Sequence, residues 1–548
     1  YSSFLTNTHP DSSKTFILGY EVDISNPNFD ADIRQRDVSW PDEKAEKISY
    51  KHDDVSDPRW NWEFNRLNFL VPIALSADTA EQKSAFRILN VWLDRDLPGR
   101  RIHWAAGIEV GVRAINLLLI RQILTRQQPG YPLVLKIDES LSAHLRYLQI
   151  HQSKYSSANN HRVVELVALL CLLGSLPSTR KSTKAISDAE SELGELVTSL
   201  FDNSGVYREQ SPTYGAFVLE FLALVIAVHP WRASERQVKI ETIFKTASRT
   251  LKAFTNSAGT IQRFGDDDGG TLFTHFRADL PTWKSIQMFA GAVMEDLEFS
   301  EAKSEFSGYS FYSSPPVDSK PRLEIVFDHA EFGLAPLFAH AHDDGLQLVV
   351  SVDGHEVIVD PGTFSYHSEN ARRNYFRSRA SHNGPICSST PNPVITGAFN
   401  WGKWVPSYTG GSASEVHGVF SYFGQLNNVP GEVLRREISV ENACKVRVRD
   451  VAMKRGLSAL FTLHPDVYLV NQTDFDITFG ISGTDLFLTV KALDESVLLE
   501  LMELSYSPRL GTETKVCGFR VSSKASNEMS YELDFERNSS FLRSEEQF

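Results

Sequence analysis

The sequence contains no run of about 20 apolar residues, the length a helix needs to cross a hydrocarbon layer, so it offers no membrane-spanning helix. Cysteine is scarce. Cys171, Cys387, Cys444 and Cys517 are scattered along 548 residues with neither a metal-type pair spacing nor a dense disulfide pattern, and they leave the redox compartment open. Positive charge is in deficit, with Lys+Arg 55 against Asp+Glu 69 and a net charge of −14, which excludes a generally basic, nucleic-acid-coating surface. A cleft can still be locally basic inside an acidic protein. Arg95, Arg100, Arg101, Arg372, Arg373, Arg377 and Arg379 are candidates to line one, with solvated loop charge as the plain alternative. No charged-then-apolar leader follows Tyr1, so targeting is not legible.

What is present is an ordinary globular composition, 42% hydrophobic and 23% charged, with room for two or three domains. Residues 1–59 are polar and weakly periodic, a loop-rich lead-in with a short strand expected at Lys14–Val22. From Trp60 the texture becomes helical. Apolar residues recur at helical intervals over Asn61–Leu75, Ala80–Leu93, Trp104–Leu124, Leu133–His151, Arg162–Leu173, Ala185–Phe201, Pro212–Val228 and Val238–Asn256. Such a succession must stack as a bundle, a solenoid or a closed ring of helix pairs. After a linker at 313–318, short alternating runs separated by Gly, Asn, Asp and Pro predict an antiparallel β domain of sandwich type over 319–548. The expected fold class is therefore multidomain α+β, with a helical domain over 60–312.

The densest chemistry lies around one hairpin. Apolar runs Leu346–Val352 and Val357–Val359 flank Asp353-Gly354, a dipeptide suited to the two positive φ angles of a type I′ turn. Pairing about that turn sets Asp360 opposite Gln347, so the His340/His342 end and the Asp360 end emerge together. His342, Asp360 and His382, at separations of 18 and 22 residues, offer two nitrogens and one oxygen suited to Zn²⁺. From spacing alone this is weak in a chain with 16 His. His342 lies an odd number of residues from Gln347, so the segment through Gly345 must bulge or turn.

Three helical-domain motifs stand out. In Asn159-Asn160-His161, an Asn is an N-cap on the plain reading, while an Asn amide and a neutral His161 at the helix mouth are suitable donors to a carboxylate. In the stretch Tyr207 to Gly215, Ser211 as N-cap and Pro212 at the first helical position place Tyr214 in the first turn. Its ring packs on a neighbouring helix on the plain reading; on the functional one, the helix dipole and a cationic neighbour lower its pKa from about 10. Arg263 to Gly270 is a carboxylate-dense turn without the alternating ligands of an EF-hand, and a structural turn is preferred.

Taken together, Asn159-Asn160-His161, Glu209 to Tyr214, Phe264 to Gly269, His340 to Asp344, Val359 to Thr363 and Arg373 to Ser378 through His382-Asn383 resemble the heparinase II/III-like polysaccharide lyases, a group that includes heparan sulfate lyases and alginate lyases. The motifs occur in that family's order, from Trp62-Glu63 and Ile102 to Trp104 to past His382. The resemblance implies an N-terminal incomplete (α/α) toroid followed by an antiparallel β-sandwich domain, with the cleft between them. It implies β-elimination on a uronate-containing acidic polysaccharide, leaving an unsaturated uronyl end. Asn160 and His161 would neutralise the uronate carboxylate, Tyr214 would act as base, acid or both, and His340 as the partner base or acid on the other face of the ring. Trp104, Glu209, Tyr366, Tyr375 and Arg377 are candidate substrate contacts, with Tyr366 and Tyr375 alternatives for a second catalytic tyrosine. His342, Asp360 and His382 match a structural zinc site. Partners are then an acidic polysaccharide and no nucleic acid, in a bacterial periplasmic or secreted setting rather than a cytoplasmic one; oligomeric state is unread. Two competing classes remain: a glycoside hydrolase using carboxylates such as Glu165, Glu209 and Asp267, and a non-catalytic glycan binder with Trp62, Trp104 and Trp401 as cleft walls.

Overall fold

The computed structural model of the chain describes residues 14–35, 37–50, 56–155, 158–175, 179–231, 233–273, 282–291, 305–315, 320–388, 392–403, 405–416, 419–428, 432–523 and 525–538. Parts of the expected lead-in (1–13 and 51–55) and of the expected linker (316–318) lie outside the described residues.

The helical half comprises α1 (Arg59–Asn65), α2 (Leu70–Leu75), α3 (Thr79–Arg95), α4 (Gly107–Gln127), α5 (Leu133–Ile150), α6 (Asn160–Gly174), α7 (Arg180–Leu200), α8 (Pro212–Val228), α9 (Ser234–Ala253) and α10 (Thr282–Gly291). Their sequences sort them into two layers. In α7 the buried positions Ile186, Ala189, Glu190, Leu193, Gly194 and Val197 follow one face, the amphipathic pattern of a helix with one side in water. In α6, α8 and the first three turns of α4 nearly every residue is buried, as a helix covered on all sides requires. Accordingly α4 packs on α6 and α6 on α8, while α3 touches α5 and α7 touches α9 on the outer side. Burial of Phe217, Phe221, Leu222, Leu224 and Val225 anchors α8, each side chain contributing roughly 1.5–3 kcal/mol. The first turn of α8, which carries Tyr214, is fixed with it.

The expected single helix over 61–75 is two, broken where Leu67 takes φ 63°. The lead-in is more ordered than its composition suggested. Lys14–Ile17 and Tyr20–Asp23 pair as a small hairpin, and the Asn61 and Asn65 amides donate to the carbonyl of Phe29 at 2.9 Å. No helix among the described residues is long and apolar enough to cross a membrane.

The second half consists of antiparallel sheets. A five-stranded one runs in the order Glu305–Phe306, Tyr309–Ser313, Leu323–Asp328, Leu348–Val352, His355–Ile358. The boundary expected at 313–318 is thereby moved: Tyr309–Ser313 already pairs with Leu323–Asp328, so the intervening residues connect two strands of one sheet. An eight-stranded sheet runs in the order Ser407–Val416, Val419–Asn428, Glu432–Glu441, Lys445–Ala452, Glu528–Arg537, Leu486–Ala492, Asp476–Ile481, Val467–Gln472, and a four-stranded sheet joins Val497–Arg509, Thr512–Ser523, Leu457–Thr462 and Ile386–Cys387. All three share one core, with Ile325, Ile438 and Phe519 among its members.

The Asp353-Gly354 turn has φ 51° and 84°, as expected of its two positions. Its register differs from the simple count. A bulge at Val357 pairs Val350 with Ile358 rather than with Val357, although Gln347 Nε2 still donates to Asp360 Oδ2 at 2.9 Å. His342 to Gly345 lie in turns before the strand, which resolves the parity conflict of His342.

Candidate active site

A cavity of about 450 Å³ opens between the two halves, lined by α1, α6 and α8 on one side and by residues 337–340, 366–370 and 397–400 on the other. At the N-terminus of α6 the labour is divided. Asn159 is the N-cap, accepting from the His161 amide at 3.3 Å and donating to Glu209 Oε1 at 3.0 Å. Asn160, the first helical residue, lines the cavity with His161. Burial holds the His161 imidazole down at about 4, so it is neutral at pH 7.

Tyr214 is placed as the cap motif predicts, its amide donating to Ser211 Oγ at 3.2 Å. Its ring stacks on His340 with centroids 3.8 Å apart, and its hydroxyl lies 2.7 Å from that of Tyr366. The expected lowering of its pKa is overturned: burial, then the charges of Asp268 and Asp266, push the phenol well above 10. Tyr366 is also raised well above 10 by burial, so the pair is protonated. The backbone amides of Tyr366 and His367 both donate to Asp57 Oδ2 at 2.9 Å, which pins this loop to the start of α1.

The carboxylate-dense turn is the join between the halves. Gly265 has φ 60°, and a Cβ there would meet the carbonyl oxygens of Gln210 and His340 at 2.6 Å, so only glycine fits. This close approach delivers Asp266, fully buried, to three partners. Arg373 grips it with both terminal nitrogens, His340 Nδ1 lies 3.1 Å from Oδ2, and His342 Nε2 lies 2.9 Å from Oδ1. Burial opposes its charge, but Arg373 and the two imidazoles hold the carboxyl well below its usual range. Nδ1 of His340 donates to this carboxylate, which leaves Nε2 as the ring nitrogen outside that contact.

Beneath His340 lies a buried group able to hold a metal: His342, Asp344, Asp360 and His382, each with a ligand atom within 4.8 Å of the others. Asp344 was missed as a ligand in the sequence, where His342-Asp343-Asp344 offers no parity argument to choose it. The donor chemistry fits a cation. His342 gives Nε2 to Asp266 and leaves Nδ1 buried without a partner. His382 places Nε2 3.0 Å from the Phe376 carbonyl and Nδ1 3.1 Å from Asp360 Oδ2. Both imidazoles are thus oriented through one nitrogen, as metal-ligating histidines are. Burial and the neighbouring Asp360 push Asp344 up to about 7, the strain of two carboxylates that a cation would relieve.

Other expected contacts fall elsewhere. Trp104 is fully buried, its indole donating to Asp96 at 2.7 Å. Glu209 sits behind Asn159, also accepting from the Tyr207 hydroxyl at 2.6 Å. Tyr375 packs beside Arg372 and is absent from the cavity lining. Arg377 is buried over the Trp401 ring and donates to the Gly397 carbonyl at 2.8 Å, and Arg373 donates to Ala398 at 3.0 Å. These arginines therefore hold the 397–400 wall from behind, where Phe399 meets His340, Tyr366 and His367. The expected basic lining is corrected in the same way. Arg95, Arg100, Arg101, Arg372 and Arg379 pair with Asp30, Asp42, Asp42, Glu513 and Asp343, and none lines the cavity. Its guanidiniums among the described residues are Arg59 and Arg66, neither singled out from sequence: Arg59 ends the polar lead-in and Arg66 sits inside a helical apolar pattern.

Residues 303–525 match a family model described as Heparinase II/III-like, C-terminal. A search of curated proteins finds no match. Among solved structures, a heparinase III aligns with TM-score 0.68 and 13% identity over 89% of this chain and 79% of that one. A heparan sulfate lyase from Pedobacter heparinus, in a mutant form, aligns with TM-score 0.60 and 17% identity over 90% and 79%. A second heparinase III gene product gives 0.59 and 13% over 90% and 81%. These identities speak to the fold, mixed helices followed by antiparallel sheets, and with the family match they support the heparinase II/III-like resemblance carried by the motifs.

Proposed function

We propose that this heparinase II/III-like chain is a polysaccharide lyase, cleaving a uronate-containing acidic polysaccharide by β-elimination on an incomplete (α/α) toroid joined to a β-sandwich. The observation that carries the reading is the convergence of Asn160, His161, Tyr214, His340 and Tyr366 on one cavity. Elimination needs a base for the proton α to the carboxylate, an acid for the leaving oxygen and donors to the carboxylate. His340, through Nε2, takes the proton. The bond from the β-carbon to oxygen then breaks, its electron pair leaves on oxygen, and a C=C bond forms next to the carboxylate. Tyr214, held protonated by burial, supplies the proton to the departing oxygen, and Tyr366 supports it by hydrogen bond. Asn160 and His161 donate to the carboxylate as charge builds there.

The cluster His342, Asp344, Asp360 and His382 would hold Zn²⁺ as a structural ion, neutralising two buried carboxylates and fixing the loop that carries His340. A bacterial periplasmic or secreted setting belongs to the same reading. The hydrolase alternative is disfavoured, because Glu165 is bound by Arg162 and Ser153, Glu209 by Asn159 and Tyr207, and neither these two nor Asp267 lines the cavity. The test is a screen of heparin, heparan sulfate, hyaluronan, chondroitin sulfates, alginate and bacterial capsule polysaccharides for the ultraviolet absorbance of a new conjugated C=C bond. A lyase raises it; hydrolysis, giving new reducing ends without absorbance, would refute the proposal.

A further inference from the structure

The donors assigned to the uronate carboxylate, Asn160 and His161, are both neutral, yet the intermediate of an elimination carries an added negative charge on that carboxylate. A cationic donor would stabilise it more than a neutral one. Among the described residues lining the cavity, the guanidiniums are Arg59 and Arg66. Every nitrogen of Arg66 is engaged: Nε and Nη2 donate to Glu109 at 2.7 and 2.8 Å, and Nη1 to Glu63 at 2.9 Å. Arg59 is not. Its Nη1 donates to Glu63 and its Nε to Asp268 at 2.8 Å, but Nη2 is buried with no hydrogen-bond partner. Arg59 itself is 3% exposed.

Two features keep that nitrogen in reach of a ligand. Gly270, also in the lining, stands against it, and a Cβ there would lie 3.0 Å from Arg59 Nη2, so the missing side chain leaves the space open. Asp57 ties Arg59 to the catalytic side: its Oδ1 accepts from the Arg59 amide at 3.0 Å while its Oδ2 accepts from the Tyr366 and His367 amides. Arg59 is thus held in fixed relation to the Tyr214–Tyr366 pair.

We propose that Arg59, through Nη2, is the cationic hydrogen-bond donor to the uronate carboxylate at the cleaved linkage. This rests on the lyase reading and deepens it. Glu63 and Asp268 orient the guanidinium and leave one donor for substrate. Arg59→Lys keeps a charge but loses the planar fork, and Gly270→Ala sets a Cβ 3.0 Å from Nη2 and 2.8 Å from Asp268 Oδ1, crowding the free donor and the carboxylate that orients it. On the panel polymer that wild type cleaves fastest, both variants are expected to lose ~10²–10³-fold in kcat, the scale seen when one such donor is removed.

A binding measurement separates this role from a structural one. In a Tyr214→Phe background, oligosaccharides of that polymer are compared with their carboxyl-reduced forms. The native form is expected to bind at least ~10-fold tighter, a margin of about 1.4 kcal/mol, and Arg59→Lys or Gly270→Ala should collapse it. Folded variants that keep the preference and cleave within about two-fold of wild type would overturn the role of Arg59; if Arg59→Lys fails to fold, Gly270→Ala decides. No absorbance rise with any panel member would overturn the lyase reading itself.

Discussion

The carboxylate of Asp266 lies 3.1 Å from Nδ1 of His340. The same side chain reaches His342, one of the four candidate metal ligands, through its other oxygen. A single buried group therefore orients both the proposed base and the ion site beneath it. Asp266→Asn is expected to lower kcat and metal affinity together, each by ~10–100-fold. Steady-state kinetics and metal analysis on the same preparation check this; loss of one without the other would separate the two sites.

The metal cluster predicts its own stoichiometry. Purified protein should carry about one zinc per chain, four ligands serving one ion, and chelation should lower thermal stability. With free metal at ~100 times its Kd, the stabilisation lost is about 2.7 kcal/mol. Asp344→Asn should weaken retention as His382→Ala does; a metal content unchanged by either would remove those residues from the site.

Two buried imidazoles away from that cluster give a pH dependence with a definite sign. Burial lowers His144 to about 3 and His329 to about 4. Both titrate near 6.5 when unfolded, so the unfolded chain binds more protons and stability falls as pH drops below 6.5 toward the folded values. Between pH 7 and 5 this amounts to on the order of 2 kcal/mol per residue. Denaturant melts of wild type should lose more stability over that interval than a His144→Gln/His329→Gln variant; equal losses would contradict the assignment.

Charge in the cavity bears on the choice of polymer. Arg59 and Arg66 face Glu63, Glu109 and Asp268, so the described lining has no surplus of positive charge for sulfate groups. In a series of one polymer graded in sulfate content, kcat/KM is expected to fall by at least ~10-fold from the unsulfated to the most sulfated member, a like-charge cost of about 1.4 kcal/mol. A rise with sulfation would contradict this.

Much of the site was legible because its signals are local. Ser211-Pro212 fixes the start of α8 and hence Tyr214, and Asp353-Gly354 fixes the hairpin near Asp360. What escaped depends on three-dimensional surroundings. Burial among Asp266 and Asp268 reverses the expected shift of Tyr214. Asp344 becomes a ligand candidate only through the irregular segment at 342–345, Arg377 turns inward to hold a backbone carbonyl, and Arg59, at the end of the expected lead-in, reaches the cavity as the first residue of α1. The bulge at Val357 and the pairing of Tyr309–Ser313 are likewise set by partners distant in sequence.

The central claim is that Tyr214 moves a proton in a β-elimination. The most direct measurement is the initial rate of ultraviolet absorbance increase for wild type and Tyr214→Phe on the polymer wild type cleaves fastest, with thermal melts to establish that both fold. A rate at least ~10³-fold lower is expected for Tyr214→Phe, with an unchanged melting temperature. A folded Tyr214→Phe enzyme that retains the wild-type rate would contradict it.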